Sequence, residues 1–448
     1  MVKKLFALLC IAILMLQFGC SDGQNEVPQV THSNQEQQDN ITVDPDSEQR
    51  SVYLDDALEL ISVVEGTHPA FDLDDISYRY ETVKQELLDS ASGDISKEGF
   101  EFLVQKYLAS LQDAHTRIQK SSNKESSGTM NLDLNCRAVG DELFILDEDG
   151  RMSDKKITHM GGVPIGSIFA TIGEYFVAEN EAARDLNNSL YSMSHTLLEM
   201  AGCDIDDNAI EITISHNDDT YNESVKFVKR NLYEIDNSSD IESRMINDEI
   251  LYIDMNICIV NSNLEKQVKI IKDSIKDGIS KIIIDVRDNP GGNSSACEKL
   301  LEAMGMKVPG YGCNIKYSDL VHKTYKSMPA KGFKKFDPDK TTAKKNDDIE
   351  LVVLTNAVTF SSANMLATWV KDGKLGTVIG TPSSNAPSSY GDILYYELPN
   401  SGIGVSISYK RFLRPDASAD PRILMPDILT DYDTDALEVA IEYLSSKQ

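Results

Sequence analysis

The sequence predicts an α/β protein. Two observations carry this. From residue 248 onward, short dense apolar runs alternate with stretches of helical periodicity, the pattern of repeated strand–loop–helix units. The 448 residues are 41% hydrophobic and 26% charged, a globular balance with enough apolar content for two or three domains.

The chain opens with Lys3 and Lys4, an apolar run over 5–18 broken only by Gln17, then Gly19 and Cys20. This is the pattern of a secretory signal, expected over 1–19. Its apolar core is too short to span a bilayer well, and no stop-transfer pattern follows. The Gly19-Cys20 end resembles a bacterial lipoprotein cleavage site. Lipidation is therefore expected at Cys20, with the lipid as membrane anchor. Residues 20–50 are rich in Ser, Asn, Gln, Asp and Glu and read as a flexible tether.

A helical region is expected over 51–125. Leu54, Leu58, Leu60, Ile61 and Val64 form a helical stripe that His68-Pro69 stops. Tyr78, Val83, Leu87 and Leu88 mark a second helix. Ser96 begins a third, with Phe100, Phe102, Leu103, Tyr107, Leu108 and Leu111 on its apolar face, and Asp113-Ala114-His115-Thr116 ends it. Residues 126–230 change character. Strands are expected at 143–146, 168–172 and 209–214, with a turn at Gly161-Gly162 and a short helix over 179–186. The core is expected over 231–448. Its strands fall at 249–255, 281–286, 349–354, from Val378, and at 393–398 with 403–409. Its helices fall at 264–275, from Ser295, at 361–370 and near 434–444. Such units place loops at the carboxyl edge of a sheet, where ligand sites collect.

The formal net charge of -29 excludes a nucleic-acid binder, because phosphate contact needs concentrated positive charge. Cys136, Cys203, Cys258, Cys297 and Cys313 are widely spaced, and the histidines form no HExxH pattern. Neither a metal nor a cofactor is expected.

Three features carry chemistry, each with a plain reading beside it. Ser361-Ser362 lies between an apolar strand and a helix; it either caps the helix or offers a nucleophile beside amide donors. Gly291-Gly292 follows a buried strand, as a tight turn or as a backbone facing a developing anion. His115 is a structural histidine or a base.

Taken together, four patches resemble the C-terminal-processing and tricorn-like serine peptidases, the tail-specific protease type. They are 111–116 (Leu-Gln-Asp-Ala-His-Thr), 284–292 (Ile-Asp-Val-Arg-Asp-Asn-Pro-Gly-Gly), 353–356 running into 359–363 (Thr-Phe-Ser-Ser-Ala), and 380–391 followed by 398–402. The resemblance spans most of residues 52–445. It implies a crotonase-like (ClpP-like) α/β core with helices in front and a PDZ-like domain in the middle region. It further implies a serine endopeptidase acting on peptides or unfolded proteins at the cell envelope through an acyl-enzyme. Ser361 is the implied nucleophile. Gly291, Gly292 and Ser362 are the implied oxyanion donors. His115 is the implied general base, with an ionisation expected near 6 to 7. Asp420 or Asp416 would orient its ring, with Asp113 as a local alternative.

Two departures stand out. Lysine-type relatives carry a base lysine about 25 residues after the serine, where this chain reads Ser384-Asn385-Ala386-Pro387. Relatives also place glutamate where Asn364 stands. Both leave open an inactive peptide-binding scaffold with the same fold. The expected partners are a peptide or protein substrate and, through the lipid, a membrane.

Overall fold

The computed structural model describes residues 52–119, 129–231 and 239–447. The expected signal over 1–19, Cys20 and the tether lie outside them. Among the described residues no helix is long and apolar enough to cross a membrane.

The apolar runs of the C-terminal half pair into a six-stranded sheet. Its order is Ile241–Ile246, Ile250–Met255, Lys281–Asp285, Glu350–Thr355, Thr377–Gly380 and Ile428–Leu429. The first pairing is antiparallel and the rest are parallel. Covered on both faces, the central strands are apolar without alternation: Leu351, Val352, Val353 and Leu354 are all buried. One face packs on the helices Ser262–Lys276, Ser294–Ala303 and Ser362–Asp372. The other meets the helix Ala436–Ser445, whose Ala436, Ala440 and Leu444 recur every four residues along one stripe. The register pairs Asp254 with Asp285, Asp285 with Leu354, and Thr355 with Gly380. The loops that follow these strands, 286–292, 356–361 and 381–386, therefore leave the same carboxyl edge.

A second, antiparallel sheet runs Arg117–Gln119, Gly404–Leu413, Gly312–Tyr317 and Gly332–Phe336, with Tyr390–Glu397 also paired to Gly404–Leu413. The helices Val52–Thr67, Tyr80–Ala91 and Lys97–Ala109 bury Leu60, Val64, Leu87 and Leu108 against Leu398, Val405 and Ile407 of this sheet and its turn. Ser96 caps the third helix, its hydroxyl oxygen accepting the Gly99 amide at 3.0 Å.

This architecture corrects the expectation of a crotonase-like, ClpP-like core with helices set in front of it. Residues 312–336 and 390–413 leave the parallel sheet and build the antiparallel one. That sheet takes its edge strand, Arg117–Gln119, from the N-terminal region, so the N-terminal helices share a core with strands of the C-terminal half.

Between the two halves, residues 129–230 form an antiparallel sheet ordered Thr129–Leu132, Asp219–Arg230, Ala209–His216, Met152–Met160, Glu142–Leu146 and Cys136–Val139. The segment expected as a strand at 168–172 lies inside the helix Ile165–Tyr175. Its buried residues Ile165, Ile168 and Ile172 have helical spacing. The isoleucines suggested a strand, and packing against the neighbouring sheet overrode that preference. The helix Glu181–Tyr191 sets Leu186 and Leu190 against Val358 and so joins this region to the 356–361 loop.

One buried ion pair fixes the far end of the helix Ser362–Asp372. Arg414 Nη2 donates to Asp372 Oδ1 at 2.5 Å and Nε to Oδ2 at 3.1 Å, with both side chains almost fully enclosed. Asp372→Ala would strand the guanidinium. Urea unfolding is expected to show a loss of about 3–5 kcal/mol; a loss under about 1 kcal/mol would contradict the role given to the pair.

Candidate active site

Two carboxyl-edge loops are zipped together. Phe360 N donates to Asn289 O at 2.9 Å, Thr359 Oγ1 to Val286 O at 2.8 Å, and Asn356 Nδ2 to Asp288 Oδ1 at 2.8 Å. Ser361 stands where this structure turns into the helix, with φ 52° and ψ −122°. Residues with a side chain seldom occupy that region, and such strain gathers at active sites. The Ser361 side chain makes no capping hydrogen bond. The plain reading of this serine as a helix cap therefore fails on geometry. Its amide is held instead, donating to Asn385 Oδ1 at 2.9 Å. The neighbouring Ser362 hydroxyl is committed to Gly292 O at 2.7 Å.

Gly291 makes room for the turn. A Cβ there would lie 2.6 Å from Ser361 Cβ and 2.8 Å from Phe360 O, and its φ is 99°. Only glycine fits. The Gly291 amide donates to Asn289 Oδ1 at 2.8 Å. Gly292, with φ 129°, is pressed against the Cys258 carbonyl. The Ser362 amide opens the helix, at the positive end of its dipole.

His115 arrives from the other sheet. Ser406 Oγ donates to His115 O at 2.7 Å and Ser408 N to Thr116 Oγ1 at 3.0 Å, just before the pairing of Arg117 with Ser406 begins. The imidazole lies over Phe360, ring centroids 4.7 Å apart. His115 is thus delivered beside the residue that precedes Ser361.

Asp113 organises this corner. Its Oδ2 accepts Thr116 Oγ1 at 2.5 Å and His68 Nε2 at 3.1 Å, and its Oδ1 accepts the His115 amide at 2.9 Å. His68 Nδ1 accepts the Ala70 amide, which leaves Nε2 as the protonated nitrogen that donates to Asp113. Burial would push the Asp113 carboxyl up, but the bond from His68 and the fields of His68 and His115 outweigh it and hold it well below the usual range. His115 Nδ1 is 3.8 Å from Asp113 Oδ1 and makes no hydrogen bond. Burial, with Arg117 assisting and Asp113 opposing, pulls the His115 ring down to about 4. The ionisation expected near 6 to 7 is corrected accordingly, and the ring is neutral at neutral pH.

Asp420 and Asp416, the acids expected to orient the ring, are engaged with other partners. Asp420 is half exposed, its Oδ1 accepting the Arg422 amide at 2.8 Å. Asp416 accepts Lys340 Nζ and the Ser418 hydroxyl. The carboxylates near His115 are Asp113 and Glu179, whose donor atoms lie within 4.8 Å of the histidine's. The spacing of these three would suit a cation, but the hydrogen bonds already made to both carboxylates favour a fixed charge cluster over a metal site. Glu179, Asn385 and His68 were missed in the sequence. Asn385 carried a signal, since it lies in the stretch 384–387 where a base lysine was looked for and not found. Asn364 donates to Asn385 O at 2.8 Å, which accounts for the amide found where glutamate was expected.

Residues 249–430 match the model of Peptidase family S41. No curated protein matches the chain. Among solved structures, mature CPAF complexed with lactacystin is 13% identical over 88% of this chain and 97% of that one, with a TM-score of 0.57. The photosystem II D1 C-terminal processing protease is 15% identical over 88% of this chain and 98% of its own, with a TM-score of 0.45. A lipoprotein from Streptococcus agalactiae is 11% identical over 91% of this chain and 100% of its own, at 0.45. The CPAF likeness shows the fold to be the mixed α/β one of that structure, and so overturns the ClpP-like expectation on a second ground.

Gly291→Ala tests the contact that shapes the Ser361 turn. Turnover and labelling by a fluorophosphonate are expected to fall at least about 100-fold in a protein that still folds. Labelling at the wild-type rate would show that the turn does not need this glycine.

Proposed function

We propose that this chain, which carries a serine-type peptidase domain of family S41, hydrolyses peptides or unfolded proteins at the cell envelope through an acyl-enzyme formed on Ser361. The observation that carries the assignment of Ser361 is its backbone: a strained turn that leaves the half-buried side chain out of any capping bond. A serine hydroxyl is a weak nucleophile until a base takes its proton. His115 fills that role, because its ring is held beside the turn and kept neutral. Ser361 Oγ attacks the substrate carbonyl carbon while His115 takes the hydroxyl proton. The C–N bond then breaks as that proton passes to the leaving amine. A water, deprotonated by His115, releases the acyl group and restores the serine. Asp113 orients the imidazole from its Nδ1 side.

The oxyanion falls to backbone amides. The three expected donors, Gly291, Gly292 and Ser362, adjoin the Ser361 turn, Gly291 by its close approach and Ser362 by opening the helix. Location follows from the leader: Cys20 carries lipid, and residues 20–50 tether the peptidase to the membrane.

A fluorophosphonate probe is expected to label the wild type and not Ser361→Ala. His115→Ala is expected to keep its fold and lose at least about 100-fold in turnover. Labelling that survives the first change, or near-normal turnover after the second, rejects the assignment of that residue.

Detergent phase partition checks the anchor. The mature protein is expected in the detergent phase and Cys20→Ala in the aqueous phase. A wild type with a free N-terminus in the aqueous phase would rule out lipidation.

A further inference from the structure

Glu179 belongs to the segment before the helix Glu181–Tyr191, yet its carboxylate serves the catalytic loops. Oε1 accepts the Ala114 amide at 3.2 Å. Oε2 accepts Asn385 Nδ2 at 2.7 Å and the Ala386 amide at 2.7 Å. Ala114 adjoins His115, and Asn385 uses its other side-chain atom to hold the Ser361 amide at 2.9 Å. One carboxylate thus touches the segments of both the base and the nucleophile.

The segment is itself pinned. Asn187 Nδ2 donates to Val177 O at 2.9 Å, and Phe176 stacks on Tyr191. Asn180 Nδ2 donates to Ser383 O and Arg422 O, while its Oδ1 caps the helix at Ala183 N. Leu186 and Leu190 pack on Val358. The carboxylate is held from its own side as firmly as from the catalytic side.

We propose that Glu179 is a positioning residue of the peptidase site, and that the middle domain, through this one carboxylate, sets the relative placement of His115 and Ser361. This rests on the reading of those two residues as base and nucleophile. The three partners are all N–H donors, and an ionised carboxylate, with acceptor lone pairs alone on both oxygens, is the form that suits all of them. A protonated carboxyl, or a glutamine, turns a donor toward one of these N–H groups, and that partner must move away. Displacements of about 1 Å in such a frame cost about 100-fold in rate.

The carboxylate therefore has to be charged, and its surroundings resist that. Desolvation, with the Asp113 charge beside it, pushes the Glu179 carboxyl up to about 7, although its three donors pull the other way. Asp113 and His115 face it from the end of the N-terminal helical region, with His68 behind Asp113 and Tyr390 packed at a tilt against His68. Arg117 acts on His115. On its own segment, Arg184 is occupied by Asp185. The sign follows. Activity needs Glu179 deprotonated, so turnover falls as pH drops through about 7, well before His115 is protonated near 4.

The test is kcat and KM against pH for wild type and Glu179→Gln on one peptide substrate, with His115→Ala alongside. Wild type is expected to show an acid limb near 7. Glu179→Gln is expected to melt within a few degrees of wild type, lose about tenfold to 100-fold in kcat, keep KM within about twofold, and lack the limb near 7. Wild-type kcat, or a limb that stays near 7 in Glu179→Gln, overturns the proposal. Near-normal turnover in His115→Ala would instead sink the base assignment. If Glu179→Gln does not fold, Asn385→Ala cuts the same link from the catalytic side. It is expected to lose a comparable factor in kcat, and unchanged turnover would overturn the proposal equally.

Discussion

Gly291 runs so close to Ser361 that one added carbon would lie 2.6 Å from the serine Cβ. The site geometry depends on that approach. It lets the chain leave the strand Glu350–Thr355, pass through a turn in the left-handed half of backbone space, and enter the helix Ser362–Asp372 with the serine side chain outside the cap position. Such a turn costs about 1–3 kcal/mol. The backbone bond from Phe360 to Asn289, the Thr359 hydroxyl on Val286, and the Ser361 amide on Asn385 over-determine it. Beneath lies a sheet whose central strands are apolar on both faces, a stiff base for a strained loop.

The proposed base, His115, comes from a different part of the chain. A three-residue strand, Arg117–Gln119, is enough, because it pairs with the long strand Gly404–Leu413 and brings the preceding residues under its control. The corner it forms is polar and buried, and three donors converge on one carboxylate: His68, Thr116 and the His115 amide all point at Asp113. An unmatched group there would cost about 1–3 kcal/mol. His115 Nδ1 is held more loosely, 3.8 Å from Asp113 Oδ1.

Both departures from the lysine-type pattern resolve into one network. Asn385 occupies the expected lysine's place and grips the serine amide. Asn364 grips the Asn385 carbonyl from the helix. An amide there orients without carrying charge, which suits the histidine base proposed for this site. Glu179 then supplies charge from the other side, at the junction of three regions of the chain.

Much of the site was legible in the sequence. The apolar runs around 281–286 and 349–354, the glycine pair, the two serines and the Asp-x-His-Thr segment were readable because each is local: strand burial, positive φ and a helix end leave marks within a few residues. The sequence could not rank Ser361 as cap against nucleophile, because that turns on a backbone angle set by the facing loop. It put the orienting acid at Asp420 or Asp416, and left Asp113 as the lesser choice, because separation along the chain says nothing about which carboxylate packs against a ring. Glu179 and His68 gave no signal, since an isolated glutamate or a histidine before proline is ordinary in any sequence. The ClpP-like core failed for a related reason. Strand-forming residues at 312–336 and 390–413 do not state which sheet they will join, and the partner strand Arg117–Gln119 lies far away in the chain. What the sequence determined alone was the set of local conformations and the kind of chemistry they permit. What only the tertiary structure decided was which charges meet, because an electrostatic pairing depends on distance through space and on desolvation, and both arise when separate segments are buried together.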